Sequence, residues 1–254
     1  GVMDLFAVGN GAVPAVFLGR GGGRFQFPPK TVRIKPVNFP QCISAGDVDG
    51  DGDLDVYLAQ YKPPYGAGQM PTPYHDANDG APAFLLINDG KGGFSDGTKP
   101  AGLDKKNRRR TFSGSLVDLD SDRDQDLVVV SDFAGIDIYL NDGTGKFSDV
   151  TDHLGDSRYS FGMSHALADF NGDGRVDIFM TGMGSTTARR LTRLGKGRSG
   201  FDHLKVAPEM GYGNRLLLGR SKGRFVQPGY NNLVARTGWS WGCTPWDFDN
   251  DGDR

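Results

Sequence analysis

Residues 47–55 read DVDGDGDLD, five aspartates at alternate positions with glycines at 50 and 52. Carboxylates this dense repel one another. A folded chain must solvate them, use them in catalysis, or neutralise them with a cation. Alternation places the first, third and fifth carboxylates in one tight turn. The seventh residue can add a backbone carbonyl, the ninth can close the cage, and glycine at the sixth allows the sharp turn. That is a hard-oxygen cage of the kind Ca²⁺ takes.

Three further segments align with it: DLDSDRDQD (118–126), DFNGDGRVD (169–177) and DFDNDGDR (247–254). The first loop would bind through Asp47, Asp49, Asp51, the Asp53 carbonyl and Asp55. In the third the ligands would be Asp169, Asn171, Asp173, the Arg175 carbonyl and Asp177. The fourth offers Asp247, Asp249, Asp251 and the Asp253 carbonyl. The second offers Asp118, Asp120, Asp122, Asp124 and Asp126, but Arg123 stands where glycine is expected, and a non-glycine residue rarely adopts positive φ. An EF-hand would need a glutamate at position 12, where these loops have Leu58, Val129 and Met180 inside apolar runs. A catalytic carboxylate pair would occur once per site, not once per repeat. No catalytic residue is therefore assigned.

A second motif lies between the loops: VFLGRGGGRF (16–25), LLINDGKGGF (85–94), IYLNDGTGKF (138–147) and LLLGRSKGRF (216–225). From its Phe to the next loop's first Asp the distances are 22, 24, 22 and 22 residues. From that Asp to the next such Phe they are 47, 29 and 56, so alternate repeats carry insertions at about 60–83 and 181–213. Each unit reads as four short strands, exemplified by 112–117, 126–132 and the hairpin after 135. Four-stranded units repeated head to tail predict an all-β propeller of about four blades over residues 1–254.

Composition agrees. Of 31 acidic residues, Glu209 is the one glutamate and 30 are Asp, a residue of turns rather than helices. Three loops holding one Ca²⁺ each would move the formal charge from −2 to about +4. There is no apolar run near 18 residues, so no membrane insertion is expected. The chain opens in mid-motif, GVMD matching GRVD at 174–177, so a signal peptide could precede it.

The loop pattern followed by an apolar strand resembles the FG-GAP/VCBS calcium-binding propeller repeat found in integrin α-subunit heads. Stretches 184–198, 210–218 and 237–253 resemble bacterial relatives of the cartilage acidic protein 1 (ASPIC/UnbV) family, although no ASPIC/UnbV C-terminal segment is present. The resemblance implies a propeller of about seven blades, of which this chain would be part. A closed four-bladed ring is the alternative, with 237–246 completing the first blade. It also implies structural Ca²⁺, an extracellular or periplasmic location, and a ligand face opposite the metal loops.

Strand parity puts both insertions on that opposite face. The residues expected to bind there are Tyr61, Tyr65, Tyr74, Arg108, Arg109, Arg110, Arg158, Tyr159, Arg189, Arg190 and Arg193. A basic, aromatic loop face suits an acidic glycan or an acidic protein surface. Nucleic acid is not expected, for want of a recognition element. The expected function is a calcium-stabilised binding or adhesion module, with a structural subunit of a surface assembly or a propeller-based lyase or dehydratase as alternatives. Segment 186–194 suits a short helix. Trp239, Trp241 and Trp246 suit a blade core. His75, His153, His165 and His203 lack metal-ligand spacing. Cys42, Ser113, Ser164 and Gly242, each five residues before a loop, suggest a position that demands a small side chain, and pairing of Cys42 with Cys243 is expected only if four blades close.

Overall fold

The computed structural model describes residues 2–64, 69–197 and 203–248. Its strands form four antiparallel sheets in chain order. The first holds β1 (Leu5–Ala7), β2 (Ala15–Phe17) and β3 (Lys30–Thr31). The second holds β4 (Pro40–Gly46), β5 (Asp55–Gln60), β6 (Phe84–Asn88) and β7 (Phe94–Asp96). The third holds β8 (Arg110–Val117), β9 (Asp126–Asp132), β10 (Gly135–Asn141) and β11 (Phe147–Asp149). The fourth holds β12 (Gly162–Ala168), β13 (Asp177–Gly182), β14 (Arg215–Arg220) and β15 (Arg224–Val226).

These are propeller-like blades, and the packing follows from period two. Along β9 every residue is buried. Leu127 and Val129 pack with Tyr57 and Leu85 of the second sheet. Val128 and Val130 pack with Ile178, Met180 and Leu217 of the fourth. A strand covered on both faces reads as a continuous apolar run, which is why DLVVVSD shows no alternation. Val56, Leu58 and Leu86 likewise face Val16 and Val32 of the first sheet. The first strands of the blades are tied side by side: Leu116 N–H donates to Ser44 Oγ (2.9 Å), and His165 Nε2 meets Ser115 Oγ (2.9 Å).

The small-residue position has a cause. Register slips between Pro40 and Cys42, between Thr111 and Ser113, and between Gly162 and Ser164, so the first strands of the second, third and fourth sheets carry a β-bulge at the same place. Cys42, Ser113 and Ser164 directly follow it. Both cysteines are free.

Each acidic loop joins the first strand of a blade to the second. The second-to-third connections, 61–83, 133–134 and 183–214, therefore lie at the other end. The last contains α1 (Thr187–Arg193), matching the expected helix, and α2 (His203–Met210), which was not expected and holds Pro208 within it. No helix among the described residues is long and apolar enough to cross a membrane.

One expectation fails. Trp239, Trp241 and Trp246 are about two-thirds exposed rather than core. Segment 239–248 makes one isolated bridge, Met183 to Trp239, and no regular strand.

Candidate functional site: acidic loops and an opposite cap

The first aspartate of each loop organises the turn. Asp47 accepts the Gly50 and Gly52 N–H groups (2.8 and 3.0 Å). Asp118 accepts those of Ser121 and Arg123 (2.7 and 3.0 Å). Asp169 accepts those of Asp173 and Gly174 (3.0 and 2.7 Å). Arg123 thus keeps the loop shape: its φ of 81° and that of Ser121, 68°, match the 91° and 75° of Gly52 and Gly50. Left-handed backbone costs a non-glycine residue about 1–2 kcal/mol, and strain of this kind collects at functional positions.

The ninth aspartate does something the spacing did not reveal. Asp55 accepts Val48 and Asn88 N–H, Asp126 accepts Leu119 and Asn141 N–H, and Asp177 accepts Phe170 and Gly219 N–H, all at 2.7–3.0 Å. One buried carboxylate therefore clasps the loop head to the end of the blade's third strand. Burial pushes the Asp126 carboxyl up to about 7 despite those two bonds.

The Gly-rich hairpin is shaped to fit. A Cβ at Gly90 would meet Asp53 Oδ2 at 2.2 Å, and one at Gly143 would meet Asp124 Oδ2 at 2.6 Å. The seventh aspartate of the loop lies against the hairpin glycine of its own blade, which links the two motifs physically. Asn141 Nδ2 also donates to Val48 O of the preceding blade (2.7 Å).

In two loops the carboxylates converge. Oxygens of Asp47, Asp49 and Asp55 lie within 4.8 Å of one another, as do those of Asp118, Asp120 and Asp126. Either triad could hold a metal ion. The second also contains Asp120 Oδ1, buried and without a hydrogen-bond partner. Burial, then Asp122 and Asp118, push the Asp120 carboxyl up. A cation would supply the missing partner and reverse that charge penalty. The third loop differs. Asn171 replaces one carboxylate, and Asp173 faces Arg175 (3.3 Å) and Arg220 (3.9 Å). Asp249, Asp251 and Asp253 of the fourth loop lie outside the described residues; Asp247 is half-buried.

At the opposite end the two insertions merge into one cap with its own core. Tyr74 and Ala77 of the first pack with Ala188, Leu191, Val206 and Met210 of the second, over Phe133, Tyr159 and Phe161. Tyr74 is fully buried, bonded through its hydroxyl to Thr192 (2.9 Å).

That cap revises the expected binding residues. Arg109, Arg110, Tyr74 and Tyr159 are interior. Arg109 pairs with Asp137 (2.9 Å) and Asp76 (2.6 Å) and donates to Ala77 O. Arg110 pairs with Asp79 (2.8 Å) and donates to the Lys62 and Gln69 carbonyls. Half-buried Arg158 bridges Asp152 and Asp76 and lies over the Tyr159 ring. Tyr61 stacks on Phe112 and donates to Asp132 (2.9 Å). These groups fasten insertions to blades. Arg108, Arg189, Arg190 and Arg193 remain exposed. Tyr65 lies outside the described residues. The acids Asp76 and Asp79 were visible in the first insertion and were the missed signal for where the arginines go.

A family model for the FG-GAP-like repeat matches residues 1–58 and 118–180, stretches that contain the first three acidic loops. Those two stretches are similar to FG-GAP-like repeats. No curated protein matches it. A solved structure of an Agrocybe aegerita lectin, described as the basis of specific recognition of non-reducing terminal N-acetylglucosamine, shares 16% identity at a TM-score of 0.30. That match covers 89% of this chain and 62% of the lectin's length, and so slight a likeness carries no argument. The matched stretches hold the first three acidic loops and the strands that enter and leave them. The second insertion, 183–214, begins where the matched stretch ends.

Proposed function

We propose that the chain is a calcium-stabilised β-propeller module, extracellular or periplasmic, that binds an acidic glycan or acidic protein surface through its capped face and catalyses nothing itself. The observation that carries the reading is the cap. Two insertions in different blades fold into one cored unit on the face opposite the acidic loops, and leave exposed arginines on a rigid support. The cation reading rests on the two aspartate triads and the orphaned Asp120 oxygen. All-oxygen donors suit Ca²⁺, which is abundant enough outside cells to fill modest sites. Asp47, Asp49 and Asp55 would hold one ion, and Asp118, Asp120 and Asp126 another. An ion there would fix the turn between two strands and offset carboxylate repulsion.

The segments behind the narrower resemblance include Ala188, Leu191 and Met210 of the cap core. His75, Tyr74 and Tyr159 cluster as buried, edge-packed rings within the cap, out of reach of a substrate, and this supports the binding reading. Retention on immobilised heparin at low ionic strength, with Ca²⁺ present, tests the binding. We expect wild type to be retained and a variant carrying Arg108→Glu, Arg190→Glu and Arg193→Glu to elute near the void. Equal elution of the two proteins would sink the proposal.

A further inference from the structure

A cleft of about 470 Å³ opens between α1, the end of α2 and the irregular segment that follows residue 234. Its walls include Ser185, Thr186, Arg189, Pro208, Tyr212 and Arg236. That volume is ordinary for a small-molecule site. Its floor is close-packed backbone: a Cβ at Gly211 would meet the Ser185 carbonyl at 2.3 Å.

Both arginines are exposed, and among the described residues neither makes an ion pair, unlike Arg109, Arg110, Arg158 and Arg215. Their backbones are nevertheless held. Ala188 and Leu191 anchor α1 in the cap core, so Arg189 projects from the opposite side of that helix. Asn214 grips the chain on either side of Arg236: its N–H donates to Ala235 O (2.8 Å), and its side-chain amide donates to Val234 O (3.0 Å) and Thr237 Oγ1 (2.8 Å). Tyr212 is fixed in turn, its hydroxyl donating to Asn232 (2.7 Å) and Arg215 lying over its ring at 4.5 Å. The cleft thus offers two unneutralised guanidinium groups, two hydroxyl-bearing side chains and one aromatic ring, all on preorganised backbone.

We propose that this cleft binds a sugar ring bearing a singly charged oxyanion, a uronate carboxylate or a sulfate ester. Guanidinium forks match such oxyanions in geometry and charge. The aromatic ring offers an apolar surface for a pyranose face, and Ser185 and Thr186 can bond ring hydroxyls. A flexible acidic peptide would supply the charge without a rigid ring to place beside Tyr212. The proposal deepens the binding reading above and rests on it.

Titration calorimetry of the whole chain with trigalacturonate, which carries carboxylates alone, and, separately, with galactose 6-sulfate, which carries a sulfate ester alone, distinguishes the two oxyanions. Inorganic sulfate serves as the control. At least one saccharide should bind saturably. Arg189→Ala and Arg236→Ala should each weaken it tenfold or more, while leaving the melting temperature unchanged because neither side chain is buried or paired. Binding of neither saccharide, or wild-type affinity in both variants, rejects the site. Sulfate binding as tight as the saccharide rejects the sugar assignment. If the site is rejected while wild type is still retained on heparin, the failure lies in the cleft and not in the wider reading of the capped face.

Discussion

Asp126 holds two backbone N–H groups, one from the loop head and one from the third strand, on one buried carboxylate, so truncating it leaves both unsatisfied. Hydrogen bonds to a charged group contribute about 1.5–3 kcal/mol each, so Asp126→Ala should cost roughly 3 kcal/mol or more in urea unfolding. Asp122→Asn, at an exposed loop position, should stay within about 0.5 kcal/mol in chelator. Equal costs would remove the clasp interpretation. Asp132 makes a separate case. Burial pushes its carboxyl up to about 7, although Tyr61 and the Phe133 N–H bond to it. A folded pKa raised above the unfolded value means stability is fully present below about 4 and is lost as pH rises toward 7. Asp132→Asn, which keeps an acceptor for Tyr61, should flatten that part of the stability profile. An unchanged slope between pH 4 and 7 would show that Asp132 does not titrate as described.

Among the elements, the long connections depend most on ion pairs formed with other parts of the chain. Arg110 enters β8 fully buried and spans residues 62, 69 and 79 of the first insertion. Removing one partner of a buried pair typically costs about 3–5 kcal/mol. Asp79 is partly solvated, so the lower end applies to Arg110→Ala. Hydrogen exchange should quicken across the described parts of 61–83 while heparin retention persists. Lost retention with exchange unchanged would return Arg110 to the binding surface. The short β9–β10 connection shows the contrast. Phe133 and Gly135 take positive φ, 60° and 96°, and a Cβ at Gly135 would meet the Arg158 carbonyl at 1.9 Å. This blade has no insertion of its own and instead carries the cap of its neighbours.

For the molecule as a whole, the first acidic loop is bonded to the following blade through Val48 O and Asn141 Nδ2, so filling it should stabilise more than one blade. At a free Ca²⁺ concentration about 100 times Kd, one site adds about 2.7 kcal/mol. Two sites would raise the melting temperature of a chain this long by roughly 10–20 °C. We therefore expect a chelator to lower the melting temperature by that order and Ca²⁺ to restore it in calorimetry. Asp120→Asn should remove about half of the effect. No response to chelator would dismiss the cation, while leaving the blades and cap as described.

The acidic loops, the strands around them and the Gly-rich hairpins were legible in the sequence because their decisive bonds are local. Asp47 reaches three to five residues ahead, and each hairpin closes over a few residues. The 22-residue spacing and the alternating insertions then placed one face opposite the other. What the sequence left open was long-range. Arg109 meets Asp137 and Asp76 across 28 and 33 residues, and Tyr74 meets Thr192 across 118. An arginine reads the same in a sequence whether solvent or a distant carboxylate surrounds it. Only the folding of the first insertion onto the third blade decided that Arg109 and Arg110 brace the cap, whereas Arg189 and Arg236 stay exposed.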